Sequence, residues 1–189
     1  MFNVKAFRLF TGHQTSPIVL HRDIQQALGP SPPKSLYYKD TPKEIADELW
    51  RRFAEALEPL RQAGKLGMVH FQFAPWLVRN REGMDHVRHC VEKMQGLQLA
   101  VEFRNKSWFD AEHLDRTLAF ERELGVVHTI VDGPQGFANC VPCVPAPTAC
   151  ALSSRTYVPY AINANDRIHS SKHHPQLQSL MPNCNFQNA

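Results

Sequence analysis

The chain has 189 residues, of which 43% are hydrophobic and 21% charged, and its formal net charge is +3. These values are typical of a globular protein with one core-bearing domain, and the absence of Lys/Arg runs disfavours a nucleic-acid surface without excluding one. No apolar run approaches the roughly 20 residues that span a bilayer, and the N-terminus MFNVKAFRLF lacks the order of a signal peptide, so we expect a cytoplasmic protein with no membrane partner.

The first predicted strand is Phe2–Phe7, and a long irregular stretch with the turn-rich segment GPSPPK follows it. Thr41, Pro42 and Glu44 then form the pattern of a capping box with proline at the first helical position. We predict a helix there, because apolar residues recur at helical spacing until Gly64, which can close the helix in a left-handed conformation.

The following 70 or so residues alternate between strand and helix patterns at about thirty residues per unit. Strands are predicted at Gly67–Phe73, Leu97–Arg104 and Val126–Asp132, with helices from about Asn80 to Gln95 and over Ala111–Leu124, the last capped by Asp110. Such alternation is typical of parallel strands joined by right-handed crossovers. The predicted fold class is therefore α/β.

Each predicted strand has one apolar and one polar set of alternate side chains. Side chains at i and i+2 share a face, and a sheet covered by helices on both faces would be apolar in both sets. The polar set therefore indicates a face without helices, which is the interior of a TIM-type β/α barrel. In the fourth strand, His128, Ile130 and Asp132 alternate with Val127, Thr129 and Val131.

The polar set near the carboxyl ends of the strands consists of Lys5, Gln72, Glu102, Arg104 and Asp132. Barrel enzymes build their sites at that end, so we interpret these side chains as a polar pocket with Glu102 and Arg104 at its floor. The alternative interpretation is a buried structural ion pair with hydrogen-bonded core histidines.

Five segments carry a family resemblance: FNVKAF (Phe2–Phe7), TGH (Thr11–His13), LGMVHFQFAPWL (Leu66–Leu77), LAVEFRNKSWF (Leu99–Phe109) and VDGPQGF (Val131–Phe137). Together and in this order they resemble the domain of unknown function 72 family, also called YecE-like, over about residues 2–145. The resemblance implies a TIM-type β/α barrel without an established activity. The site residues that it implies are Lys5, His13, Gln72, Pro75, Glu102, Arg104, Asn105, Trp108 and Asp132.

The chain departs from the family pattern in three places. Met1 lies almost on the first motif, where family members usually have a preceding strand-helix-strand segment; Gly133 replaces an acidic residue that often follows Asp132; and the resemblance ends near Pro145. We therefore expect an incomplete barrel of about four strands over residues 1–145, in a truncated and inactive fragment.

The segment 146–189 has few large apolar residues and no sustained period, so we expect an irregular or disordered tail, or the product of a shifted reading frame or retained intron. An open barrel also has exposed sheet edges, which predict self-association. Cys140 and Cys143 form a C-x-x-C without a second pair, and we interpret them as loop thiols, with metal or redox chemistry as the alternative. No metal site is predicted, and any cofactor is unknown.

The first functional hypothesis is an enzyme that acts by acid/base chemistry on a small polar or anionic metabolite, sugar- or phosphate-bearing. Lys5 and Arg104 would hold the negative group. Glu102 or Asp132 would serve as general acid or base. The predicted orienting residues are Gln72 and Asn105, and Trp108 is predicted either to stack on a sugar or base or to pack in the core.

Two other hypotheses remain open. A metal-assisted hydrolase would use His13, His128, Glu102 and Asp132 as ligands, although no H-x-H or H-E-x-x-H pair supports it. A binding module would recognise an anion or a nucleic-acid end without turnover.

Overall fold

The computed structural model describes residues 1–131, 133 and 140–146. In this part of the chain, four parallel strands form one sheet in chain order. The strands are β1 (Phe2–Lys5), β2 (Leu66–Gln72), β3 (Leu99–Glu102) and β4 (Val127–His128). The predicted α/β class is confirmed, and so is the parallel direction of the strands.

Helices connect each strand to the next. The elements between β1 and β2 are a 3-10 turn (Pro17–Val19), α1 (Arg22–Ala27), a second 3-10 turn (Tyr38–Asp40) and α2 (Lys43–Gln62). Helix α3 (Arg81–Lys93) joins β2 to β3, and a 3-10 turn (Lys106–Trp108) and α4 (Leu114–Glu123) join β3 to β4. Within the described ranges, no helix is both long and apolar enough to cross a bilayer.

The ends of the long helices follow the predicted signals. Gly64 follows α2 with φ of +63°, and Gly125 follows α4 with φ of +65°. Glycine adopts this left-handed region without the steric penalty of a Cβ atom. At the start of α3, Asn80 Oδ1 accepts a hydrogen bond from the Gly83 N–H at 2.7 Å, so that Asn80 caps the helix.

The start of α2 differs from the predicted capping box. The helix begins at Lys43, with Pro42 as its N-cap. Thr41 Oγ1 donates to the Tyr37 carbonyl at 2.9 Å and makes no capping bond to a helical N–H. The capping prediction is wrong because this hydroxyl completes the preceding 3-10 turn.

Several elements are shorter than predicted. Strands β1, β3 and β4 each end earlier than the sequence pattern indicates, and Arg104 lies beyond the end of β3. Asp110 Oδ1 accepts from the His113 N–H at 3.0 Å, but α4 begins only at Leu114. The Asp110 cap therefore belongs to a turn that precedes the helix.

One face of the sheet packs against the helices. Phe71 of β2 lies beside Trp50 of α2, with ring centroids 6.2 Å apart. Phe103 stacks on Trp108 at 3.8 Å, and Val101 is 1% exposed. The apolar set of alternate side chains is thus buried against the helices, as predicted, and burial of this area drives folding.

The opposite side of the sheet, called the polar face below, carries Lys5, His70, Gln72 and Glu102. The register pairs Lys5 with His70 and Gln72 with Glu102. Partners in neighbouring parallel strands point to the same side. The alternation in β2 and β3 therefore predicts the two faces correctly.

Strand β4 reverses the predicted assignment. The register pairs Val101 with His128, so His128 points to the helices. Its Nδ1 lies 3.1 Å from Glu121 Oε1 of α4. The prediction that His128 belongs to the inward polar set is wrong, because a buried carboxylate on the helix side provides its partner.

Asp132 and the segment 147–189 lie outside the described residues, so the role of Asp132 and the character of the tail remain predictions. Cys140 and Cys143 lie in the segment 140–146, which has no regular secondary structure, in agreement with the predicted loop.

Candidate functional site

A row of hydrogen bonds crosses the polar face from β1 to β3. Lys5 Nζ donates to Gln72 Oε1 at 2.8 Å, and Gln72 Nε2 donates to Glu102 Oε1 at 2.9 Å. The register places Gln72 directly beside Glu102. The sheet therefore brings three of the predicted site residues into one connected row.

Glu102 is the centre of this row, and 0% of its surface is exposed. Arg104 Nε donates to Glu102 Oε1 from the loop that follows β3. His70 Nε2 lies 3.2 Å from the other oxygen, Oε2, at ion-pair distance but without the alignment of a hydrogen bond. Both oxygens of the carboxylate therefore face a nitrogen of a basic side chain.

These contacts set the ionisation of Glu102. Burial alone would raise its pKa, but the contacts with His70, Arg104 and Gln72 favour the charged form and lower the pKa to about 2. A carboxylate with this pKa is ionised at physiological pH and is a weak proton acceptor. Glu102 is therefore suited to orienting Arg104 and Gln72, while its low pKa disfavours proton uptake; the predicted role in proton transfer stays a prediction.

His13 lies among positive charges beyond the end of β1. Its burial lowers its pKa most, and the charges of Arg8, Lys5 and Arg104 lower it further. Thr11 Oγ1 donates to the Arg8 carbonyl at 3.0 Å and lies 2.9 Å from His13 Nδ1. A neutral imidazole has one nitrogen that carries a proton and one that has a lone pair. The lowered pKa favours this neutral form, so His13 is suited to accept a proton.

Lys5, Arg8 and Arg104, called the cation cluster below, lie within electrostatic reach of His13. Among the described residues, their ion pairs within 4 Å involve a single carboxylate, that of Glu102. Within this part of the chain, three cations against one carboxylate leave an excess of positive charge at this end of the sheet. Such an excess attracts anions.

Two predicted ligand residues stabilise the loop after β3, and their predicted ligand roles stay predictions. Asn105 Oδ1 caps the 3-10 turn, and its Nδ2 donates to the Pro75 carbonyl at 2.6 Å. Trp108 is 0% exposed and stacks on Phe103. The core encloses the Trp108 ring, in agreement with the alternative that it packs in the core.

A sequence profile described as "Protein of unknown function DUF72" matches residues 1–185. The chain belongs to the DUF72 family. The match extends beyond Pro145, near which the resemblance of the sequence motifs ends.

Individual DUF72 relatives agree with this assignment. The chain is 32% identical to the UPF0759 protein YunF of Bacillus subtilis (strain 168) over 143 residues, which are 76% of this chain and 43% of YunF. Two crystal structures of a DUF72 family protein from Enterococcus faecalis V583 match with a TM-score of 0.53 and 29% identity, over 55% of this chain and 38% or 41% of that chain. The chain thus spans less than half the length of these relatives, and their fold agrees with the parallel α/β architecture.

Two of the alternative metal ligands, His128 and Glu102, lie on opposite faces of the described sheet. His128 contacts Glu121 on the helix side, whereas Glu102 lies on the polar face. In the part of the chain that the structure describes, no three His, Cys, Asp or Glu side chains form a group that could hold a metal ion. Asp132 lies outside the described residues.

Three residues of this arrangement are not among the predicted ones: Arg8, His70 and Trp76, whose ring centroid lies 5.8 Å from that of His13. His70 alternates in phase with Gln72, and this phase could have marked it. Trp76 is 55% exposed and directly follows Pro75. Its position in a βα loop is the sequence signal that could have identified it. Arg8 lies beyond β1, where no strand period applies.

Proposed function

We propose that this DUF72 protein binds a small anionic metabolite, sugar- or phosphate-bearing, at the cation cluster and acts on it by acid/base chemistry. The observation that supports this most is the excess of positive charge around His13, where Lys5, Arg8 and Arg104 all act on one imidazole. Charge of one sign concentrated at a site raises the local concentration of oppositely charged ligands.

The hydrogen bonds leave donors free for an anion. Arg104 uses Nε on Glu102, so the two terminal amino groups of its guanidinium remain for a bidentate contact. Lys5 uses one of its three N–H groups on Gln72. Glu102 would orient this set, because a buried carboxylate with several partners holds their positions.

His13 is the proton acceptor that we assign to this chemistry. Its neutral form fits a general base, and bound anion charge would stabilise the imidazolium formed when the base takes a proton. Asp132 stays the predicted partner in proton transfer. The role predicted for Glu102 passes to His13, since a pKa of about 2 disfavours proton uptake.

A non-catalytic anion-binding module is the second candidate. The low pKa of Glu102 favours it, because it removes one of the two carboxylates predicted for acid/base work. A nucleic-acid end would be one such anion. Binding without turnover is what distinguishes this candidate from the enzyme.

The first experiment measures inorganic phosphate binding and unfolding free energy for Arg104→Met. We expect phosphate affinity to fall at least about tenfold, or about 1.4 kcal/mol. Stability should fall by no more than about 1–2 kcal/mol, since Gln72 and His70 still contact Glu102. Arg81→Met is the control, because the Arg81 side chain is 97% exposed. Unchanged binding with a stability loss of about 3–5 kcal/mol would identify a structural ion pair instead.

The second experiment separates the two candidates. The wild-type chain and His13→Gln are compared for phosphate binding and for turnover of sugar phosphates. If the protein is an enzyme, His13→Gln retains phosphate binding and lowers kcat by about 10²–10⁴. Phosphate binding without turnover in the wild-type chain would support the binding module and contradict the catalytic proposal.

A further inference from the structure

A cavity of about 480 Å³ lies between the loops that follow β1 and β2. Its lining includes Tyr37, Lys39, Trp76, Asn80 and Glu82. The volume falls in the range of about 300–1,000 Å³ that is usual for small-molecule sites. The proposed function above does not use this cavity.

Trp76 is the main feature of the cavity wall. Its side chain is 55% exposed, whereas Trp50 is 3% and Trp108 0% exposed. Trp76 Nε1 donates to the Gly12 carbonyl at 2.9 Å, so its polar atom is already bonded and its ring is held in place. What it offers to a ligand is therefore the face of the indole ring.

Two neighbouring rings pack against Trp76 in edge-to-face geometry. Tyr37 lies 6.5 Å from it with an interplanar angle of 76°, and His13 lies 5.8 Å from it at 68°. The Asn105 amide bonds the Pro75 carbonyl, which fixes the backbone just before Trp76. An exposed aromatic ring that is fixed in this way costs little entropy on binding a ligand.

The polar groups of the lining favour a neutral, hydroxylated ring. Lys39 supplies a positive charge and Glu82 a negative one, so the charges of the lining favour neither a cation nor an anion. The Asn80 amide adds a further donor, since its oxygen already accepts from Gly83. Amide, carboxylate and ammonium groups are suited to bonding hydroxyl groups.

His13 connects this cavity to the cation cluster, because it touches Trp76 and lies within electrostatic reach of Lys5, Arg8 and Arg104. We propose that the site takes a sugar phosphate, whose sugar ring lies on the face of Trp76 while its phosphate lies at the cation cluster. This inference rests on the proposed function, since it names the substrate class of that site.

The test uses tryptophan fluorescence of the whole chain, because Trp76 is the exposed one of three tryptophans. Acrylamide quenching is measured with glucose 6-phosphate, ribose 5-phosphate, adenosine 5′-monophosphate and inorganic phosphate. We expect the sugar phosphates to protect Trp76 at least twofold and inorganic phosphate to leave quenching unchanged. Protection by the adenosine nucleotide alone would overturn the sugar assignment in favour of a base.

A variant provides the second readout. Trp76→Ala should lower the affinity for glucose 6-phosphate about tenfold by calorimetry while inorganic phosphate binds as in the wild type. Ile18→Ala, at a residue that is 78% exposed and outside the cavity lining, is the control. If phosphate binds but no sugar phosphate protects Trp76, this inference fails and the proposed function stands; if neither phosphate nor sugar phosphate binds, both fail.

Discussion

Two glutamates are fully buried, and their surroundings move their pKa values in opposite directions. Glu102 is surrounded by Arg104, Gln72 and His70, and its pKa falls to about 2. Burial raises the pKa of Glu121, whose Oε2 has no hydrogen-bond partner within the described residues. Burial costs a carboxylate its hydration, and only the number and charge of its partners decide whether the charged form survives. The sequence pattern shows neither the number nor the charge of these partners.

The first prediction concerns His86, which burial and the nearby His89 hold at a lowered pKa. His86 Nε2 donates to the Phe10 carbonyl at 2.8 Å, and Tyr38, Cys90 and Glu82 lie around it. Since the folded pKa lies below the unfolded value, the stability from neutral His86 is present above about pH 6.5 and is lost as pH falls through the folded pKa.

His86→Gln retains a donor for the Phe10 carbonyl and removes the titration. Between pH 7.5 and 5, we expect the wild type to lose more unfolding free energy than the variant, by about 1.4 kcal/mol for each unit by which the folded pKa is lowered. Urea unfolding at a series of pH values measures this difference. Parallel curves for the two proteins would contradict the prediction.

Helix α3 shows how packing overrides the preferences of a helical segment. Asn80 caps it, and Gly83 is buried in its first turn. The backbone there is helical, and yet a Cβ atom on Gly83 would lie 2.2 Å from the Val78 carbonyl oxygen. The loop after β2 approaches the helix so closely that only glycine fits. This close approach also positions the loop that carries Trp76.

The second prediction is that Gly83→Ala destabilises the protein. Helix propensity alone favours alanine over glycine by about 1 kcal/mol. The contact with the Val78 carbonyl forces the backbone to shift, and such overpacking costs about 1–3 kcal/mol. We expect a net loss in thermal unfolding, while Arg81→Ala in the same turn, at a 97% exposed side chain, changes little. A Gly83→Ala protein that is more stable than the wild type would contradict the prediction, because the loop would then shift without loss of stability.

The chain spans 43% of the length of YunF, which is less than half of this DUF72 relative. Within the described residues, β1 lies at one edge of the sheet, and Met1 and Phe2 are 68% and 57% exposed. A parallel edge strand with exposed apolar side chains can pair with another chain. Because the chain spans less than half of YunF, the activity of a complete barrel stays a proposal. Experiments on this chain test the polar face.

The third prediction is that the chain self-associates through β1. Sedimentation velocity should show larger species as protein concentration rises, and Phe2→Lys should shift the distribution toward the monomer, because lysine on an edge strand opposes pairing. Ile18→Lys adds the same charge at a residue that is 78% exposed and lies outside the sheet. It should leave the distribution unchanged. A wild-type chain that stays monomeric at all concentrations would contradict the prediction.

Much of the fold could be predicted from local patterns. The alternation of Val69, Phe71 and Phe73 with His70 and Gln72 identifies the two faces of β2, and glycines mark the ends of helices. These features depend on residues that are close in sequence, because strand and helix periods are properties of the backbone. The pairing of Lys5, Gln72 and Glu102 follows from them once the strands are parallel and in order.

The rest depended on contacts between distant residues. By their position in the sequence, Trp76 and Trp108 are both tryptophans in βα loops. In the structure, Trp108 is buried against Phe103, whereas Trp76 bonds the loop after β1 and stays exposed. His128 turns to the helices because Glu121 lies there. Burial and ionisation are set by every atom that surrounds a group, and the tertiary fold brings those atoms from segments that the local pattern cannot place beside one another.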